Sequence, residues 1–214
     1  MTIAQHIQQI KDCGIIAILR GGFSVDEVLA IADALVSSEV TILEITLNSP
    51  AALDALPHLQ THFGGAALVG AGTVRTLDDW KRAVDAGATF TIAPNFDPAV
   101  ARQAVAHGLL HVPGVATPSE AVSAASAGCG VQKLFPAEPL GGPAYLKAIR
   151  APLDDIAFIP VGGISRENMG GYLKAGAIAV GMGSSLIPSK AWSADKIAAL
   201  CQAARAVVTA HAKS

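Results

Sequence analysis

Cysteine, charge and long apolar runs are all scarce in this chain, and each shortage removes a class of function. Its 214 residues hold three cysteines, Cys13, Cys129 and Cys201, with no C-x-x-C pair among them. An odd count spaced this way builds neither a disulfide framework nor a zinc knuckle. His58 and His62 stand four apart with no third ligand nearby, so a solvated helix face is expected there and no metal. Charged residues make up 15% of the chain against 51% hydrophobic ones. That balance excludes a disordered polymer, because enough surface can be buried to offset chain entropy. A formal net charge of −2 argues against nucleic acid as a partner. No apolar run approaches the roughly 18 residues that a membrane span needs. The opening Met1-Thr2-Ile3-Ala4-Gln5-His6 lacks the basic-then-apolar order of a signal peptide. No P-loop consensus occurs, and Gly70-Ala71-Gly72-Thr73-Val74-Arg75 departs from a dinucleotide fingerprint by ending on arginine. The expectation is a reduced, cytoplasmic protein with no nucleic acid, no membrane, no metal and no cofactor.

What is present is glycine. The chain has 21 glycines, and they follow short β-branched runs, as the strand-to-helix turns of an α/β protein do. Eight such runs can be read: 15–19, 41–46, 67–71, 88–93, 109–112, 131–135, 156–161 and 177–181. Helix-compatible stretches such as 25–38, 77–86 and 98–107 follow them. Asp97-Pro98 and Thr117-Pro118 each put a capping oxygen before a proline at the first helical position. No linker, charge block or low-complexity segment divides the chain, so residues 1–214 read as one domain. Near-continuous apolar strands leave a closed barrel or an open doubly wound sheet. Eight β-α units favour the (β/α)8 TIM barrel, with 2–13 as an extra N-terminal helix closing its lower end.

Strand alternation then sorts the polar residues, because successive side chains face opposite sides of a sheet. In 41–46, Leu43 and Ile45 meet the helices while Glu44 and Thr46 face the lumen. In 131–135, Lys133 shares its face with Val131 and Phe135. Burying a lysine in an apolar lumen costs several kcal/mol or depresses its pKa, and a neutral lysine is a nucleophile. The alternative is a structural ion pair with Glu44, or a side chain reaching to the barrel mouth. Arg20 ends the first strand, where a guanidinium can hold a carboxylate or phosphate or simply satisfy loop carbonyls. Gly162-Gly163-Ile164-Ser165 and Gly181-Met182-Gly183-Ser184-Ser185 follow the last two strands. Paired loops of this kind offer backbone amides to a phosphate, or are tight turns that need positive φ. His111 is expected to point inward, where it either touches ligand or, as the favoured reading, is a satisfied structural histidine, and Glu138 lies near the mouth with no assigned role.

In order along the chain stand Glu44-Ile45-Thr46-Leu47, Gly70-Ala71-Gly72-Thr73-Val74, Pro113-Gly114-Val115-Ala116-Thr117-Pro118, Lys133-Leu134-Phe135-Pro136-Ala137-Glu138 and Val161-Gly162-Gly163-Ile164. Together they resemble the 2-keto-3-deoxy-6-phosphogluconate aldolase family, class I aldolases on trimeric barrels. The resemblance implies that Lys133 forms a Schiff base and Glu44 transfers protons. It also implies that Arg20 and Thr73 bind substrate and that Gly162, Gly163 and Ser184 hold phosphate. The gluconate-type enzymes carry arginine where this chain has Asn48, and threonine where it has Val161. Ile18-Leu19-Arg20-Gly21, Leu47-Asn48-Ser49-Pro50 and Ala93-Pro94-Asn95 look more like the branch acting on the phosphogalactonate epimer, which the resemblance mildly favours as substrate. The implied function is cleavage of a 2-keto-3-deoxy-6-phospho sugar acid to pyruvate and glyceraldehyde 3-phosphate by a homotrimer. The alternatives are 4-hydroxy-2-oxoglutarate aldolase activity and a barrel phosphosugar epimerase or isomerase.

Overall fold

The computed structural model describes residues 2–188 and 192–213. Strands and helices alternate along it. Helix α1 (Ile3–Cys13) precedes β1 (Ile15–Leu19), α2 (Val25–Ser37), β2 (Ile42–Thr46), α3 (Ala52–Phe63), β3 (Leu68–Gly72) and α4 (Leu77–Asp85). Then come β4 (Phe90–Ile92), α5 (Pro98–Ala106), β5 (Leu110–Val112), β6 (Gly114–Val115), α6 (Pro118–Ser126), β7 (Val131–Leu134) and α7 (Gly142–Arg150). The chain ends with β8 (Ala157–Pro160), α8 (Arg166–Lys174), β9 (Val180–Met182) and α9 (Ala194–Ala212). The helix starts follow local chemistry. The hydroxyls of Thr2, Ser24, Thr76 and Thr117 accept the backbone N–H three residues on, and the carboxyl of Asp97 accepts those of Ala99 and Val100. Each takes up an amide that the first helical turn leaves free.

All strand pairings are parallel and fall in two sheets, β5-β4-β3-β2-β1-β9 and β6-β7-β8. The fifth apolar run therefore continues into a separate short strand. Pro113 divides β5 from β6 because it has no N–H to give the ladder. Hydrogen bonds cross both seams between the sheets. Gly114 N, at the start of β6, donates to Asn95 O beyond β4 at 3.2 Å and Ile178 N to Phe158 O at 3.1 Å, while Val161 and Gly181 form a bridge. Side chains from both faces of the strands are buried, as a parallel sheet flanked by helices requires. Among the described residues, Glu44 and Lys133 are the carboxyl and amine side chains within this core, 0% and 2% exposed.

The pleat assigns one expected inward residue to the other face. A Cβ at Gly70 would press on the Phe90 ring, so those two residues share the inner side with Glu44, the register partner of Gly70. Thr91 and its register partner His111 alternate with Phe90 and lie on the outer side, against the helices. There His111 Nδ1 is 2.9 Å from Thr91 Oγ1. Burial pushes its imidazole down to about 4. His111 is thus a neutral packing residue and not a lumen group. His62, for its part, sits on a helix surface 2.7 Å from Asp33.

Candidate active site

Glu44 occupies the middle of β2, in register with Ile18 of β1 and Gly70 of β3. Its side chain leans over Gly72, where a Cβ would collide with the carboxyl group. The absence of a side chain at Gly72 therefore makes the room that Glu44 fills. Neither carboxyl oxygen accepts a hydrogen bond within the described protein. Burial pushes the Glu44 carboxyl above its usual range, with the positive charges of Lys133 and Arg20 opposing that rise.

Lys133 lies in β7, in register with Gly114 and Ile159. Burial lowers its ammonium pKa; Glu44 works against that change and Arg20 adds to it. The Nζ atom stands 4.8 Å from the centroid of the Phe135 ring. Among the described residues no ion pair within 4.0 Å joins Lys133 to Glu44, and at 2% exposure the lysine does not reach out to solvent. Neither a structural ion pair with Glu44 nor a side chain reaching out to the mouth describes Lys133 here. A lysine biased toward its neutral amine beside a carboxyl biased toward its acid can add to a carbonyl and move protons at one centre.

At the carboxyl ends of β1, β8 and β9 opens a cavity of about 360 Å³, lined among others by Arg20, Phe135, Val161, Gly162, Gly163 and Ser184. Gly162 and Gly163 have φ of 97° and 79°, conformations open to glycine at little cost. Among the described residues the amides of Gly163, Ile164, Ser184 and Ser185, all of the lining, donate to no protein acceptor. The Ser185 hydroxyl donates to Ile164 O at 2.7 Å and ties the two loops together. Free amides from two convergent loops, with the Arg20 guanidinium on the same wall, form a cradle for an anion.

Lys133 and Glu44 are not among the lining residues themselves, and two expected substrate residues, Thr73 and Asn48, stand apart from it too. Thr73 follows Gly72 with a left-handed φ of 60°, a conformation that costs a β-branched residue of order 1–3 kcal/mol. Asn48 is exposed in the turn after β2. Its neighbour Ser49 accepts the Gly21 amide at 3.1 Å and lies 3.0 Å from Thr46 Oγ1. Through Ser49 the β2 turn holds the loop that follows Arg20, a tie the one-dimensional pattern did not reveal. Phe135, by contrast, was legible: two residues beyond Lys133, it shares its face.

The sequence model of the family described as "Aldolase: KDPG and KHG aldolase" matches residues 6–203. A probable 2-dehydro-3-deoxy-6-phosphogalactonate aldolase of Rhizobium meliloti is 40% identical over 173 residues, 80% of this chain and 81% of that protein. A solved native KDPGal structure superposes with a TM-score of 0.88 at 35% identity, covering 94% of this chain and 96% of its own. A KDPG aldolase from Legionella pneumophila, with pyruvate captured as a covalent carbinolamine intermediate, superposes with a TM-score of 0.85 at 31% identity. It covers 92% of this chain and 97% of its own.

Proposed function

The chain belongs to the KDPG and KHG aldolase family, and from that premise we propose that it cleaves 2-keto-3-deoxy-6-phosphogalactonate to pyruvate and glyceraldehyde 3-phosphate, in preference to the gluconate epimer. It is a carbon–carbon lyase. The observation that carries the reading is the buried Lys133 and Glu44, with no ion pair between them, joined through Phe135, 4.8 Å from Lys133 Nζ, and Ile18, the register partner of Glu44, to a cavity rimmed by free amides.

Lys133 Nζ adds to the C2 ketone and expels water, leaving a protonated imine that serves as an electron sink. Glu44, through a bridging water, takes the proton from the C4 hydroxyl. The C3–C4 bond breaks, its electrons pass into the imine, and glyceraldehyde 3-phosphate departs from an enamine of pyruvate. Reprotonation at C3 and hydrolysis then free pyruvate and regenerate the amine. Arg20, Thr73 and Asn48 serve the acid and hydroxyl groups of the substrate, while Gly162, Gly163 and Ser184 hold the phosphate. Val161 and Asn48, and the name of the Rhizobium meliloti relative, support the galactonate preference. A valine in place of a hydroxyl biases epimer choice without enforcing it. 4-Hydroxy-2-oxoglutarate, which also yields pyruvate by imine chemistry, is a side substrate.

The same reading takes the strands as one closed eight-stranded barrel within a single domain of residues 1–214, with Met1, Ser189, Lys190, Ala191 and Ser214 outside the described residues. The seam hydrogen bonds support closure if β5 and β6 count as one strand interrupted at Pro113. Helix α1 closes the lower end: its Ile3, Ile7 and Lys11 share a cavity with Leu110, Val131 and Ala157, at the starts of β5, β7 and β8. A cytoplasmic homotrimer is the proposed assembly, supported by the family resemblance.

Borohydride reduction in the presence of pyruvate, followed by intact mass and peptide mapping, tests the reading. A stable adduct on Lys133 is expected. Folded protein that acquires none overturns the imine mechanism.

A further inference from the structure

The turn at Gly162-Gly163 is braced from behind by side chains that no step of the cleavage uses. The backbone N–H of Glu138 donates to Gly162 O at 3.0 Å. The Glu138 stem packs so tightly on the next residue that a Cβ at Gly163 would come within 2.5 Å of Glu138 Cβ. Glu138 Oε2 then accepts hydrogen bonds from the Tyr172 hydroxyl at 2.6 Å and from Asn168 Nδ2 at 3.2 Å. Asn168 completes the brace. Its Nδ2 also donates to Gly163 O at 2.9 Å, and its Oδ1 accepts the Ser165 amide at 2.8 Å. Both carbonyls of the turn are therefore engaged by the protein, while the amides of Gly163 and Ile164 remain free. Tyr172 is itself fully buried, and burial together with the neighbouring Glu138 carboxyl pushes its phenol above the usual range.

Two successive glycines left to themselves sample many conformations, and ordering them at the moment of binding weakens binding. We propose that Glu138, held in place by Tyr172 and Asn168, is a positioning residue of the phosphate subsite, setting the Gly162-Gly163 turn before substrate arrives. The proposal rests on the reading of this turn as the phosphate subsite. Glu138 touches neither Lys133 nor Glu44 in any hydrogen bond or ion pair of the described residues, so its removal is expected to act at the phosphate end of the substrate.

The test compares wild type, Glu138→Ala, Glu138→Gln and Tyr172→Phe on two substrates, 2-keto-3-deoxy-6-phosphogalactonate and the phosphate-free 4-hydroxy-2-oxoglutarate. Inhibition by inorganic phosphate is measured alongside. Tyr172→Phe keeps the ring packing and guards against a Glu138→Ala variant that fails to fold. Expected is a rise of roughly tenfold in KM for the phosphorylated acid and in the inhibition constant of phosphate. The kcat/KM for 4-hydroxy-2-oxoglutarate should stay within about twofold, and Glu138→Gln should recover part of the loss. Equal losses on both substrates, or no change on either, overturn the proposal. A wild type indifferent to the phosphate group overturns the subsite reading and the proposal with it. A wild type that prefers the phosphorylated acid, with variants that do not move, overturns the proposal alone.

Discussion

Lys133 and Glu44 are pushed by burial toward their neutral forms and held back by each other's charge. Lys133→Ala should abolish turnover, since no other amine occupies the lumen among the described residues. Glu44→Gln should slow cleavage by about 10²–10⁴-fold, the range for loss of a general acid–base group, yet still trap pyruvate with borohydride. A Glu44→Gln protein cleaving at the wild-type rate contradicts its role. The pH dependence has a definite sign. Imine formation needs the neutral amine, so it rises with pH through a Lys133 pKa lying below the ordinary 10.5. Removing the Glu44 charge removes what raises that pKa, so in Glu44→Gln the imine-forming limb moves to lower pH. A single-turnover pH series that moved upward would refute the coupling. Val161 is buried at the cavity wall. Replacing it with threonine should shift the gluconate-to-galactonate ratio of kcat/KM toward gluconate by up to roughly tenfold, the scale on which modest pocket changes act. Paired assays on the two epimers read this out.

At the scale of the element, β3 makes its contribution by what it omits. Gly70 leaves space for the Phe90 ring and Gly72 for the Glu44 carboxyl. Gly72→Ala drives a methyl into that carboxyl and should cost about 1–3 kcal/mol, as overpacking does, with a matching drop in kcat. Urea unfolding beside steady-state assays checks both, and an unchanged midpoint would mean that Glu44 has another place to go. Element starts were readable because caps are local: Asp97-Pro98 and Thr117-Pro118 open α5 and α6 where the sequence places them. The interruption at Pro113 has no mark in the local sequence. A proline is allowed within an apolar run, and whether it breaks a ladder depends on the strand alongside. The inward placement of His111 fails because the run 109–112 does not say on which side its alternation begins.

For the whole molecule, the proposed trimer predicts a solution mass three times that of the 21.7 kDa chain by sedimentation equilibrium; a monomer across the micromolar range would overturn it. The pairing of distant segments is also a property of this scale. Lys133 and Glu44 come from different sheets, and the cradle needs the loops after β8 and β9 side by side. From sequence alone came the order of strands and helices, the inward parity of Glu44 and Lys133, and the glycine turns, because a period of two and a capping oxygen are written within a few residues. Only the tertiary structure decided that Lys133 and Glu44 stay unpaired, that Glu138 braces Gly163, and that Thr73 and Asn48 stand off the cavity lining. Those outcomes depend on register and loop convergence between segments far apart in the chain, and no local pattern encodes a distance between them.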